Sequence, residues 1–225
     1  KASNASDVVL GSGLGLEGWI DRLVTASGYK GHLVTASEGV NSRKMEEDGK
    51  QITDPHAWNS MANGVIYATN VMNALIKADP EDADYFRQRG TAYIEQLQKL
   101  DAWAKTEFTG IPQSKRKVLT SHDAFGYFGQ EYHVSFMAPV GFSTEAEASA
   151  SGVASLIKQI KAEKVKTYFI ENQTDPRLVK QIAAASGAQP GGELYPEALS
   201  GPQGPATTYV KAFKHNVETI AASMK

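Results

Sequence analysis

Apolar residues recur along the chain in two rhythms. Short runs rich in β-formers occupy positions 8–10, 32–35, 117–120, 133–138 and 166–170, with a further extended piece at 193–195. Most are followed within a few residues by Gly, Ser, Asn or Asp, as a strand-to-helix turn requires. Between them the period lengthens to that of a helix. Trp58, Met61, Val65, Ala68, Met72 and Leu75 recur at steps of three and four after Asp54-Pro55. Phe86, Tyr93, Leu97, Leu100 and Ala104 mark the apolar face of a longer helix, opened by Asp79 as N-cap and Pro80 and running to about Phe108. Gly90 inside it is a packing or kink point. Asp175-Pro176 opens another helix, closed by Gly187, and Phe213, Val217, Ile220 and Met224 mark the last one. This alternation predicts an α/β fold with mostly parallel strands.

The long helix divides the chain into an N-terminal lobe over 1–79, a linking helix over 80–110 and a C-terminal lobe over 111–225. Only two clear strands precede the helix, and a two-stranded parallel sheet is marginal alone. The first lobe is therefore expected to be incomplete, its open edge taken by a strand from outside this chain or covered by a partner. Residues 38–53 are polar and aperiodic, which predicts a long mobile loop.

Composition removes several function classes. Lys and Arg number 23 against 25 Asp and Glu, a formal charge of -2, and no basic stripe points to nucleic acid. The longest nearly apolar run, 134–142, is broken by Ser135, Pro139 and Gly141 and is too short to cross a bilayer. No apolar leader region is visible at the start. There is no cysteine, which excludes disulfides, thiol catalysis and Cys-ligated zinc or iron–sulfur clusters.

Gly13-Leu14-Gly15-Leu16-Glu17-Gly18 follows the first strand and matches the dinucleotide fingerprint, with Glu38 at the distance of a ribose-binding acid. Glu17, however, puts a negative charge where the pyrophosphate would sit. The competing reading is a tight strand-to-helix turn, with Trp19 and Leu23 packing inward. Of the five histidines, His215 is expected to face solvent, and His32 and His133 to be structural residues of strands. His56 follows Asp54-Pro55 at a helix start, and His122 lies just past the C-terminal end of a strand, the edge where open α/β sheets bind ligands. Each is either a metal ligand or a helix-start cap. Glu171 and Glu197 end strand-like segments and are either site carboxylates or solvated loop residues.

Several segments resemble, in order and over nearly the whole chain, the solute-binding proteins of bacterial zinc and manganese ABC importers. They are Asp7-Val8-Val9-Leu10 through Trp19, Asp54-Pro55-His56-Ala57-Trp58, Ser121-His122-Asp123-Ala124-Phe125-Gly126-Tyr127-Phe128, Glu171-Asn172-Gln173 and Leu194-Tyr195-Pro196-Glu197-Ala198-Leu199-Ser200. The resemblance implies two α/β lobes joined by a long rigid helix, with a metal ion in the cleft. It implies that His56 and His122 are ligands and that Glu197 stands where the family has an aspartate ligand. The family's first histidine ligand would precede residue 1, so its segment is expected to be missing here. A carboxylate at the His122 position is implied in manganese-preferring members, which favours Zn2+ over Mn2+ here.

The expected function is a periplasmic or lipid-anchored zinc-binding protein, a monomer and not an enzyme. Its partners would be an ABC permease and a zinc metallochaperone, with no nucleic acid, and the 38–53 loop would help capture metal. The alternatives are a zinc-dependent hydrolase with Glu171 or Glu197 as base, and a dinucleotide-binding oxidoreductase.

Overall fold

A computed structural model describes residues 6–31, 33–47, 49–141 and 148–225. The chain divides into two units: Lys1–Arg43 with Thr53–Asp101, and Lys44–Ile52 with Ala102–Lys225.

In the first unit, β1 (Val9–Gly11) pairs in parallel with β2 (Leu33–Thr35), with Val9 opposite Leu33 and Gly11 opposite Thr35. Helix α1 (Ile20–Ser27) connects them and ends in left-handed Gly28, the usual way for a glycine to stop a helix. Trp19 and Leu23 are 54% and 48% exposed, so the expectation that they pack inward fails. In this stretch it is Ile20 that reaches β1, its Cδ1 closing on Gly11. His32 lies outside the described residues.

A 3-10 turn (Ala57–Asn59) leads into α2 (Met61–Ala78). Ser60 caps α2, its Oγ accepting from the Asn63 N–H at 3.5 Å. Asp79 ends α2, its N–H donating to Leu75 O at 2.9 Å, and α3 (Ala83–Glu107) starts a turn later than the Asp79-Pro80 signal suggested. Gly90 is a packing point: a Cβ there would stand 2.4 Å from Met72 Sδ. The division between the units falls within α3.

The expected loop over 38–53 contains two paired strands, β3 (Lys44–Glu47) and β4 (Lys50–Thr53). Among the described residues of the two strands only Met45 is buried, and a single apolar residue in each, Met45 and Ile52, among polar and charged neighbours leaves no period-2 signal to read.

The second unit holds a four-stranded sheet in the order β6-β5-β7-β8, built from β5 (Lys117–Leu119), β6 (Ser135–Met137), β7 (Thr167–Glu171) and β8 (Gln189–Leu194), with every pair parallel. Helices α4 (Gly126–Tyr132), α5 (Ala150–Ala162) and α6 (Arg177–Ser186) make the crossovers, and α7 (Tyr209–Ala222) follows β8. Alternation along the strands sorts the core into two layers. Leu119 and Met137 join Ile160, Val179 and Ile182 from α5 and α6, while Phe136 stacks on Phe125 at 5.0 Å within an aromatic cluster that takes in Phe108, Phe128, Tyr132 and Phe213.

His133 is not a strand residue. It closes α4 in the left-handed region (φ +57), which shortens the strand expected over 133–138 to β6. Among the described residues no helix is long and apolar enough to cross a membrane.

Candidate functional site

In the first unit the local sequence Asp54-Pro55-His56 builds a self-contained arrangement. Asp54 is fully buried, and one of its oxygens, Oδ1, accepts both the His56 N–H at 3.0 Å and a bond from His56 Nδ1 at 2.8 Å. Its other oxygen pairs with the Arg43 guanidinium, and the Asp54 N–H returns to Arg43 O at 3.0 Å. Burial pushes the Asp54 carboxyl up, but the bonds from the His56 ring and backbone, then the charges of His56 and Arg43, carry it below the usual carboxylate value. Trp58 meets the His56 ring edge-on at 5.6 Å, and Asn63 Nδ2 donates to Ala57 O at 3.2 Å, bracing the turn. A Nδ1 that donates to a carboxylate directs the imidazole lone pair to Nε2.

In the second unit the C-terminal ends of β5, β7 and β8 deliver the equivalent groups, as expected at that edge of a parallel sheet. His122 follows β5 and is 1% exposed. Its Nδ1 is paired with Glu171, the last residue of β7, and the other Glu171 oxygen accepts from the Ser121 and His122 N–H groups at 3.2 and 3.3 Å. Glu171 is therefore a buried clamp rather than a solvated carboxylate. Glu197, beyond β8, places Oε1 3.2 Å from His122 Nε2. Burial lowers the His122 pKa, but the hydrogen bonds and charges of Glu171 and then Glu197 more than reverse this, raising it to about 10.

The segment carrying Glu197 is pinned on both sides. Asn216 Oδ1 accepts the Tyr195 N–H and its Nδ2 donates to Tyr195 O, both at 2.9 Å, while Asn172 Nδ2 donates to Ala198 O at 3.3 Å. His215, expected to face solvent, instead sets Nε2 2.9 Å from Glu193 O and its ring against Tyr195.

His122 and Glu197 thus come together, with Glu171 behind, and His56 has its own carboxylate in the first unit. The clamping roles of Asp54 and Glu171 were not assigned from sequence. Asp54 lies two residues before His56, where it could have been suspected; nothing in the chain pointed to Asn216.

The glycine-rich turn has a different outcome. Glu17 accepts the Ser12 and Gly13 N–H groups at 2.7 and 3.1 Å, so the donors that a pyrophosphate would need are taken by the chain's own carboxylate. Gly13 lies at φ +86, where a Cβ would also stand 2.4 Å from Thr35 Cγ2, so glycine is required there for the turn itself.

Comparison with known proteins extends this picture. The family described as "Zinc-uptake complex component A periplasmic" matches residues 1–223. The chain is similar to the manganese-binding lipoprotein MntA of Bacillus subtilis, 31% identical over 231 residues that cover 100% of this chain and 76% of that protein. It is similar to the iron-binding protein YfeA of Yersinia pestis, 32% identical over 223 residues covering 98% and 71%. Among solved structures, the periplasmic zinc binding protein TroA from Treponema pallidum superposes with a TM-score of 0.88 at 30% identity, covering 98% of this chain and 82% of that one.

Proposed function

The chain belongs to the family of periplasmic zinc-uptake component A proteins, and within that family we propose that it captures Zn2+ through His56, His122 and Glu197 and delivers it as a single-chain carrier. Membership makes it an extracytoplasmic metal-binding component of an ABC importer, working with membrane permease and ATPase parts, and not an enzyme.

The observation that carries the finer reading is the buried carboxylate behind each imidazole, Asp54 for His56 and Glu171 for His122. Such a partner fixes the tautomer, orients the ring and raises the basicity of the nitrogen that takes the metal. Glu197 adds the anionic oxygen. Two donors at about 2.0–2.1 Å from one tetrahedral ion stand roughly 3.3 Å apart, and the 3.2 Å between Glu197 Oε1 and His122 Nε2 agrees with that spacing. Relatives carry names for manganese, iron and zinc alike, so the donor chemistry of this chain is the discriminating argument. Two imidazoles with one carboxylate suit zinc better than an oxygen-rich set would.

The test is a competition titration against a chromophoric chelator, with metal analysis after loading from equimolar Zn2+ and Mn2+. One zinc per chain is expected. His56→Ala and His122→Ala should each lose about 3 kcal/mol of binding, somewhat over a hundredfold. Undiminished zinc in both variants would sink the ligand assignment, and preferential loading of manganese would sink the choice of metal.

A further inference from the structure

The second unit carries another concave site, at the end of its sheet opposite His122. A pocket of about 710 Å³ gathers five lysines: Lys115 and Lys117 where β5 begins, Lys164 after α5, Lys166 before β7, and Lys225 after α7. In a chain whose formal charge is -2, this is a local reversal of sign. Little of it is neutralised from within. Lys117 pairs with Glu163 at 3.0 Å, and Glu163 is already engaged by Gln159 Nε2 at 2.9 Å. Lys225 pairs with Glu107 at 3.2 Å. Among the described residues Lys115, Lys164 and Lys166 form no ion pair.

The ordinary explanation for such lysines is the negative end of a helix dipole. It accounts for Lys164 and Lys225, which follow the last turns of α5 and α7. Lys115 closes a short 3-10 helix (Gln113–Lys115) and shares that explanation, whereas Lys117 opens β5 and Lys166 precedes β7, beyond the last turns of these helices, and the dipole does not account for them.

We propose that this pocket binds a phosphoryl-bearing anion carrying two or more negative charges. The lining narrows the chemistry. Among the described residues it contains no arginine, whose planar fork pairs with carboxylate and phosphate alike, so recognition rests on ammonium point charges, which hold a compact, multiply charged oxyanion without requiring a planar partner. The hydroxyls of Ser114, Thr167 and Ser223 add neutral donors to the same wall. Among the described residues no aromatic ring lines it, so they offer no platform on which a nucleobase could stack. The site shares no residue with the proposed metal ligands and stands whether or not that reading does.

The same phosphoryl chemistry is found in a soluble oligophosphate and in an anionic lipid headgroup, and one experiment separates them. The full chain, stripped of metal so that chelation does not enter, is titrated calorimetrically with tripolyphosphate at low salt. In parallel it is sedimented with vesicles of phosphatidylglycerol and of phosphatidylcholine. Lys115→Glu/Lys166→Glu is measured beside it.

Saturable tripolyphosphate binding is expected, weakened by added salt and about a hundredfold weaker in the double variant, with zinc affinity measured in anion-free buffer unchanged. Binding to phosphatidylglycerol vesicles alone, lost in the variant, keeps the phosphoryl site and assigns it a lipid source. Binding of neither probe, equal binding by the variant, or displacement of tripolyphosphate by a poly-glutamate peptide at equal charge overturns the proposal.

Discussion

The two candidate histidines are clamped by the same chemistry, yet very different amounts of chain are needed to build each clamp. His56 takes its carboxylate from Asp54, two residues away, and Arg43 completes the arrangement. His122 takes its carboxylate from Glu171, 49 residues further on at the end of another strand, and meets Glu197 75 residues away. The first is a property of a turn and holds wherever that turn forms. The second is a property of a sheet: it exists only when β5, β7 and β8 are paired in register, since Leu119 opposite Tyr168 and Glu171 opposite Leu194 bring the three ends level. A locally encoded clamp is robust to events elsewhere, whereas an assembled one reports on the whole unit.

The largest difference should therefore appear in stability. Glu171→Ala strips a buried carboxylate from the His122 ring and from the N–H groups of the buried residues Ser121 and His122. A loss of about 3–4 kcal/mol is expected in urea unfolding of the metal-stripped chain. Asp54→Ala strands the buried His56 N–H and ring nitrogen, but it leaves one backbone N–H unpaired rather than two and Arg43, which is 29% exposed, can turn to solvent, so a smaller loss of about 2 kcal/mol is expected. An equal or greater loss for Asp54→Ala would erase the distinction between turn and sheet.

Affinity comes next. Asp54→Asn and Glu171→Gln keep the shape of each clamp but remove its charge, and each should weaken zinc binding about 10- to 100-fold in chelator competition. If one changes affinity and the other does not, the two carboxylates do different jobs despite their matching geometry.

The same contrast decides what could be read from sequence. The parallel sheet, the long helix and the positions of His56, His122 and Glu197 at element ends were legible because periodicity and turn residues are local signals. Glu171 could be placed at the end of a strand but not in the interior, because its burial follows from β7 lying between β5 and β8, which no window of sequence contains. His215 misled for a related reason. Its neighbours on α7 are sorted by helical period, but its bond to Glu193 depends on where β8 ends. The β3–β4 pair escaped notice because charged residues on both faces gave it no alternation.

Acidity should separate the clamps in opposite directions. The Asp54 carboxyl is held below its ordinary 3.8, so the stability it contributes is present above that value and is lost as pH falls through its folded pKa. His122 is raised from 6.5 to about 10, so its contribution is complete below pH 6.5 and is lost as pH climbs through about 10. Urea midpoints of the metal-stripped chain across pH 3–10 should thus converge with those of Asp54→Asn at the acid end and with those of Glu171→Gln at the alkaline end. On the proposed ligand assignment, zinc displaces the His122 proton at neutral pH, so apparent affinity should rise with pH, with about one proton released per ion in calorimetry across buffers of different ionisation enthalpy. A pH-independent gap between wild type and Glu171→Gln would break the assignment.

The smallest effects test whether support behind the proposed ligands follows the same rule. In the second unit Asn216 holds Tyr195 through both backbone groups, two residues before Glu197, and does so from a helix that begins after the loop it restrains. Asn216→Ala leaves a buried N–H and C=O without their partner and frees one side of the segment; zinc affinity should fall about three- to tenfold. The corresponding brace in the first unit is Asn63 Nδ2 on Ala57 O, a single bond to a turn that Asp54 already organises. Asn63→Ala should change affinity by no more than about twofold. A larger effect for Asn63→Ala than for Asn216→Ala would mean that the turn around His56 is not self-sufficient, and that the shorter clamp leans on its surroundings more than the longer one does.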